Sequence, residues 1–309
     1  MSRKATLKIA TRGSPLALWQ AREVRRRLLA CHADLAEDGV EIVTIRTSGD
    51  RIQDRTLADA GGKGLFTKEI EEALLAGAID LAVHSMKDVA TVLPTGLAIG
   101  AILAREDPRD AFLSPAALGL AGLPAGAVVG TSSLRRQAQV LNRRPDLKVV
   151  TYRGNVETRL RKLAAGEVDA TLLAQAGLKR LGLADRATAL IEPEEMLPAV
   201  AQGAIGIEIR AGDDAVRTRL VALDDPDSAL RVAAERAFLA ELDGSCRTPI
   251  AGLAVLSAEG DLWLRAEILR PDGSERHTAE RTGACVDAEA LGRDAGRELK
   301  ARASADFFV

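Results

Sequence analysis

Short apolar segments of strand type alternate with helix-type segments through the first two thirds of this 309-residue chain. That alternation restricts the fold to doubly wound α/β domains with parallel-rich sheets. Leu7-Lys8-Ile9-Ala10 reads as the first strand, and Ser14 then supplies an N-cap with Pro15 at the first helical position, ahead of Leu16-Ala17-Leu18-Trp19-Gln20. Further strands are expected over Val40 to Arg46, Asp80 to His84 and Leu97 to Leu103, then near Ala127, Lys148 and Asp169, with one more at Ala204 to Ile209. Polar breaks at Arg105 to Asp110 and at Asp224 to Asp227 mark boundaries. Beyond them, a helix from Ser228 to Leu242, strands near Leu253, Leu262 and Arg276 and a helix from Asp287 read as a small α+β domain. In open α/β sheets, ligands bind outside the carboxyl ends of the strands.

Two strand-to-helix junctions carry most of the functional signal: Val128-Val129-Gly130-Thr131-Ser132-Ser133-Leu134-Arg135-Arg136 and Val149-Val150-Thr151-Tyr152-Arg153-Gly154-Asn155-Val156-Glu157-Thr158-Arg159. Each puts hydroxyl or amide side chains and free backbone N–H groups at a helix start, where the macrodipole is positive, and adds guanidinium forks. Thr131 to Lys162 holds nine basic residues against two acids, although the whole chain has 42 basic and 44 acidic residues. A cation at a helix start is unfavourable unless an anion sits there. Arg135, Arg136, Arg153 and Arg159 are therefore expected to bind carboxylates or phosphates, and Arg143, Arg144, Arg161 and Lys162 to form a solvated face.

The net charge of -2 and 3% aromatic content argue against a nucleic-acid or membrane-surface protein. The chain begins Met1-Ser2-Arg3-Lys4-Ala5-Thr6 with no apolar leader, and no uninterrupted apolar run is long enough to cross a bilayer, so a cytoplasmic location is expected. Three scattered cysteines and three histidines make a disulfide framework or a metal centre improbable.

Asp88 is the best candidate for chemistry, because it lies just past the end of an apolar strand where an α/β crevice presents its functional groups. Beside it, Lys87 is placed to bind an anion. An Asp next to a Lys is on its own most often a cap or an exposed ion pair contributing about 0 to 1 kcal/mol. His84, on the strand itself, reads as a satisfied interior residue. Gly61-Gly62-Lys63-Gly64 ends a polar, glycine-rich connection suited to a mobile lid and lacks the spacing of a phosphate-binding P-loop. Cys246 lies in the turn-like segment Leu242-Asp243-Gly244-Ser245-Cys246-Arg247-Thr248-Pro249, where Arg247 favours the thiolate that attacks carbon electrophiles.

Thr11-Arg12-Gly13-Ser14-Pro15-Leu16-Ala17, Gly61-Gly62-Lys63-Gly64-Leu65-Phe66, Val83-His84-Ser85-Met86-Lys87-Asp88, Gly130-Thr131-Ser132-Ser133-Leu134-Arg135-Arg136, Arg153-Gly154-Asn155-Val156, Gln202-Gly203-Ala204 and Cys246 occur in this order. Together they closely resemble the porphobilinogen deaminase family, also called hydroxymethylbilane synthases, over nearly the whole chain. The resemblance implies a transferase of tetrapyrrole and heme biosynthesis. It would condense four porphobilinogen molecules head to tail with loss of ammonia at each addition, then hydrolyse the product off as hydroxymethylbilane. The acetate and propionate on every pyrrole ring would account for the arginines.

The same resemblance implies a dipyrromethane cofactor joined to Cys246 by a thioether and held by Asp88, Lys87, Ser133, Arg135 and Arg136. Asp88 would hydrogen-bond pyrrole N–H groups, stabilise the cation left by ammonia loss and shuttle protons. Arg12, Ser14, Lys63, Arg153, Arg159, Arg180 and Gln202 would bind substrate, with Lys63 in a mobile loop. The implied architecture is two doubly wound domains like those of type-II periplasmic binding proteins plus a small α+β domain: residues 1–104 with 199–222, residues 105–198, and residues 223–309. A cytoplasmic monomer that binds porphobilinogen, and neither nucleic acid nor membrane, is expected. Three positions depart from the family pattern: Ala90 where proline is usual, Ala201 where glycine is usual, and Ser245 in place of the second glycine before the cysteine. The residues by themselves also fit a non-catalytic two-lobed receptor for anions, which would bind reversibly and have no need of Cys246. A nucleic-acid binder using the basic segment would show steep salt dependence.

Overall fold

The structure is a computed structural model and describes residues 7–51, 66–243, 248–304 and 306–308. In the first part of the chain come β1 (Leu7–Thr11), α1 (Pro15–Cys31), β2 (Val40–Thr44), α2 (Ser48–Arg51), α3 (Lys68–Leu75), β3 (Leu81–Ser85) and β4 (Leu97–Ile102). Next are β5 (Asp110–Leu113), β6 (Val128–Gly130), α4 (Leu134–Arg143), β7 (Lys148–Val150), α5 (Val156–Ala164), β8 (Ala170–Ala174), α6 (Gln175–Arg180) and β9 (Ala189–Ile191). Then follow β10 (Ile205–Arg210), α7 (Asp214–Leu220), α8 (Pro226–Glu241), β11 (Ile250–Leu256), β12 (Asp261–Leu269), β13 (Arg276–Ala284) and α9 (Ala288–Arg302). Among the described residues the fold is mixed α/β, with two five-stranded sheets and one three-stranded sheet.

These elements divide into two compact units, and the divisions fall between Arg105 and Glu106, between Gly203 and Ala204, and inside α8. The first unit carries the sheet β2-β1-β3-β10-β4. β1 runs parallel to β2 and β3, whereas β10 enters antiparallel between β3 and β4. Successive side chains of a strand point to opposite faces, so a sheet covered on both faces needs continuous apolar runs. Ile9 and Leu81 pack with Leu28 and Ile207 in one core cluster. Their neighbours Ala10 and Ala82 pack with Ile70 and Leu74 of α3 in the other.

The second unit repeats this logic in the sheet β7-β6-β8-β5-β9. Phe112, Val129 and Leu172 lie in one core cluster, and Ala111, Leu113 and Leu173 join Tyr152 in the other. Gly130 is required here, because a Cβ would lie 2.7 Å from Cγ of Tyr152. The missing side chain lets the Tyr152 ring lie against the end of β6 and brings Arg153 to the start of α5. The same unit contains the antiparallel sheet β11-β12-β13, against which α9 buries Ala288, Ala295 and Leu299. Burying a side chain such as Phe112, which is fully enclosed, contributes about 1.5–3 kcal/mol. Among the described residues no helix is long and apolar enough to cross a membrane.

Candidate functional site

In the first unit the site is built at the carboxyl ends of β1 and β3. β3 stops at Ser85 and passes into a single 3₁₀ turn, Met86–Asp88. Met86 is buried, its N–H donates to the Ala204 carbonyl (3.0 Å), and Val89 N–H donates to the Met86 carbonyl (3.2 Å). Asp88 is therefore held at the sheet edge by backbone bonds on either side of it. After β1, the Ser14 hydroxyl accepts from Ala17 N–H at 3.3 Å and caps α1, with Pro15 at the helix start as the sequence predicts. Arg12, Ser14, Gln20, Phe66, His84 and Asp88 line a cavity of about 70 Å³. The Arg12 guanidinium lies 4.1 Å from the centroid of the Phe66 ring, which orients the cation by its attraction to the ring face. Gln20 donates to Ser85 Oγ at 2.8 Å, fixing the strand end from α1. His84 is buried against Glu208, as an interior residue should be. Lys87 is half-buried in the same turn as Asp88.

In the second unit the anion-type residues gather where β5, β6 and β8 meet the start of α4. The Ser133 hydroxyl caps α4 by accepting from Arg136 N–H at 3.4 Å. Arg135 and Arg136 are buried rather than solvated, and each places Nη2 on a separate oxygen of Asp110, at 2.8 Å in both cases. Arg135 Nη1 also donates to the Leu197 carbonyl (2.8 Å) and Arg136 Nη1 to the Leu172 carbonyl (2.9 Å). Gln202 donates to Asp110 Oδ1 at 2.8 Å and to the Pro108 carbonyl at 2.7 Å. Burial would raise the Asp110 carboxyl, but the charges of Arg135 and Arg136 overcome it and hold the group far below the usual carboxylate range. Arg159, whose Nε donates to the Gly154 carbonyl at 2.9 Å, is pushed down to about 10 by burial and then by the charges of Arg136 and Arg153. Arg180, also pushed down to about 10 by burial, donates to the Gly203 carbonyl at 2.5 Å. Arg136, Arg153 and Arg159 thus act on one another electrostatically, with Asp110 the carboxylate bonded to Arg135 and Arg136, while Glu106 is the charge that acts on Arg180.

The sequence-based expectations meet this structure unevenly. Arg12, Ser14 and Asp88 share one cavity, while Ser133, Arg135, Arg136 and Gln202 share one hydrogen-bonded cluster, with Arg153 and Arg159 within electrostatic range of it. Lys63 and Cys246 lie outside the described residues. Arg144, expected on a solvated face, instead donates to the carbonyls of Leu120, Ala121 and Leu123 and pairs with Asp146. Asp110 is the residue that sequence reasoning passes over. It stands in the polar stretch Asp107-Pro108-Arg109-Asp110, which reads as a hinge, and only its place at the head of a strand otherwise composed of Ala111, Phe112 and Leu113 hints that it is buried.

Comparison with known proteins shows the family of the chain. Residues 7–218 match the family model described as porphobilinogen deaminase, dipyromethane cofactor binding domain, and residues 229–301 match porphobilinogen deaminase, C-terminal domain. The chain is similar to the porphobilinogen deaminase of Paracoccus denitrificans (strain Pd 1222), 61% identical over 303 residues that cover 98% of this chain and 96% of that one. It is likewise similar to the chloroplastic porphobilinogen deaminase of Oryza sativa subsp. japonica, with 57% identity over 98% of this chain and 85% of the relative. Among solved structures, the periplasmic aliphatic sulphonate binding protein SsuA from Escherichia coli aligns with a TM-score of 0.42 and 14% identity, over 77% of this chain and 70% of that one.

Proposed function

The chain belongs to the porphobilinogen deaminase family, and on that premise we propose that Asp88 handles the protons of the reaction while the arginines of the second unit hold the carboxylates of the pyrrole rings. The activity is that of a transferase: four porphobilinogen molecules condense, with release of ammonia, into the linear tetrapyrrole hydroxymethylbilane. When bound, the family's dipyrromethane supplies the terminal pyrrole carbon on which the chain is extended.

The single observation that carries the catalytic assignment is that Asp88 provides the only carboxylate lining the cavity it shares with Arg12 and Ser14. Its carboxylate accepts a hydrogen bond from a pyrrole N–H, disperses positive charge that develops as ammonia leaves, and takes up the proton lost from the ring carbon. Arg12 and Ser14, on the same cavity, bind ring carboxylates, as do Lys87 beside Asp88 and Lys63.

The residues present fit a polycarboxylate cofactor. Arg135 and Arg136 each keep a buried Nε with no hydrogen-bond partner, and the cluster carries more positive charge than Asp110 neutralises. Buried donors of that kind are costly unless a ligand satisfies them. Ser133, Arg135 and Arg136 would hold the cofactor carboxylates, and Arg153, Arg159, Arg180 and Gln202 those of the incoming rings. Each charged hydrogen bond contributes about 1.5–3 kcal/mol. Cys246 would form the thioether to the cofactor, an assignment that rests on its place in the order of motifs.

The same reading makes the protein a cytoplasmic monomer that binds neither nucleic acid nor membrane. It has three domains, residues 1–104 with 199–222, 105–198 and 223–309, and the separate match of residues 229–301 supports the third. The test is the intact mass of the denatured protein, wild type against Cys246→Ala. A two-ring adduct on wild type alone is expected. A wild type that stays unmodified after incubation with porphobilinogen would overturn the assignment of Cys246.

A further inference from the structure

We propose that Asp110 is a positioning residue of the anion site, holding the guanidiniums of Arg135 and Arg136 and the amide of Gln202 in one geometry before any ligand arrives. The inference rests on the reading of Arg135 and Arg136 as carboxylate-binding groups.

Consecutive residues of a helix project about 100° apart, so Arg135 and Arg136 can share a partner only if it sits at the end of α4 between them. Asp110, fully buried at the head of β5, occupies that place. Its Oδ2 takes Nη2 of Arg135, and its Oδ1 takes both Nη2 of Arg136 and Nε2 of Gln202, all at 2.8 Å. The far side of each donor group is fixed as well, by the carbonyls of Leu197, Leu172 and Pro108. Each guanidinium plane is thus held at two corners, and its buried Nε is the edge left over.

The charge balance argues against a purely structural ion pair. The carboxylate bonded to the two buried cations is Asp110, and Glu267, the other buried carboxylate acting on Arg135, is already paired with Arg276, so the hydrogen-bonded cluster keeps a positive charge that a self-contained core pair would not carry. Asp110 cancels enough of that charge for the cluster to stay folded without cancelling the attraction for a further carboxylate. A wall preorganised in this way spares a ligand the cost of ordering three long side chains.

The experiment compares Asp110→Asn, Asp110→Glu, Arg135→Gln and the double variant Asp110→Asn/Arg135→Gln in the full chain. Two quantities are read: the rate at which apo-protein gains the covalent two-ring mass on incubation with porphobilinogen, and KM against kcat for the fraction already loaded. Misplacing a binding group costs about tenfold to a hundredfold, so loading in Asp110→Asn is expected to slow about tenfold and KM to rise about tenfold, while kcat changes less than about threefold. Asp110→Glu, which keeps the charge, is expected to recover part of the loss. Asp110→Asn is expected to add little to Arg135→Gln, because both act on one cluster. If Arg135→Gln impairs loading and Asp110→Asn lowers only the melting temperature of the folded protein, Asp110 is a structural residue and the proposal falls. Should Arg135→Gln itself leave loading and KM unchanged, the carboxylate-binding reading falls with it.

Discussion

The imidazole of His84 meets the carboxylate of Glu208 at 3.0 Å inside the first unit, where both side chains are almost fully enclosed. The pair ties β3, which leads into Asp88, to β10, which returns from much later in the chain. Glu208 keeps its second oxygen buried with no hydrogen-bond partner, so its charge spreads into the surrounding interior.

Glu71 feels that charge. Its carboxyl is raised above the usual glutamate range, first by burial and further by Glu208. A raised carboxyl contributes stability that is present below its unfolded pKa and lost as pH rises through its folded pKa. Glu71→Gln should therefore raise the thermal midpoint by a few degrees near about pH 8, with the gain disappearing toward about pH 4. Melting curves across that range check it, and a gain that is constant with pH would contradict the assignment.

The Asp88 side chain is itself only half-buried, between the buried Met86 and Val89, so an isosteric change there should cost activity rather than fold. Asp88→Asn is expected to lower turnover by about 10²-fold or more while the melting temperature stays within a degree or two of wild type. Near-normal turnover would remove Asp88 from the chemistry.

Arg159 is a cation held in an unfavourable place, depressed to about 10 by burial and by its cationic neighbours. An apolar side chain at this partly buried position removes the cost of keeping a charge among cationic neighbours. Arg159→Met should accordingly melt higher than wild type without ligand and bind porphobilinogen more weakly. A variant that loses stability instead would show that the guanidinium is a structural strut.

Gly203 adopts φ +90°, and a Cβ there would collide with the Glu106 carbonyl oxygen. Its own carbonyl accepts from Arg180 and from Glu106 N–H. Gly203→Ala is expected to destabilise the protein by about 2–5 kcal/mol through strain and overpacking, measurable as a lower denaturant midpoint.

Local signals in the sequence carry the elements well. The Ser14-Pro15 start of α1, the buried strand that ends before Asp88 and the helix starts at Ser133 and Asn155 are written in a few neighbouring residues, and the structure has them. The Asp110 cluster depends on partners 25, 26 and 92 residues away. No local periodicity encodes such a meeting, so a rule that helix-start arginines need an external anion overlooks one that the chain supplies itself. Arg144 escapes for the same reason, since its carbonyl partners lie more than 20 residues upstream. Ala201, noted as unusual in the sequence, takes φ +58°, a conformation that costs an L-residue about 1–2 kcal/mol. Its N–H bond to Glu235 at 2.6 Å is part of what holds it there.

The insertion of β10 between β3 and β4 has a consequence for how the protein is made. Both strands finish emerging from the ribosome about a hundred residues before the strand that separates them. During that interval each has an edge of unpaired backbone amides and carbonyls, the kind of surface that recruits strands from other chains. Expression at high translation rates or elevated temperature should thus expose this vulnerability in the nascent chain, even where the finished protein is stable.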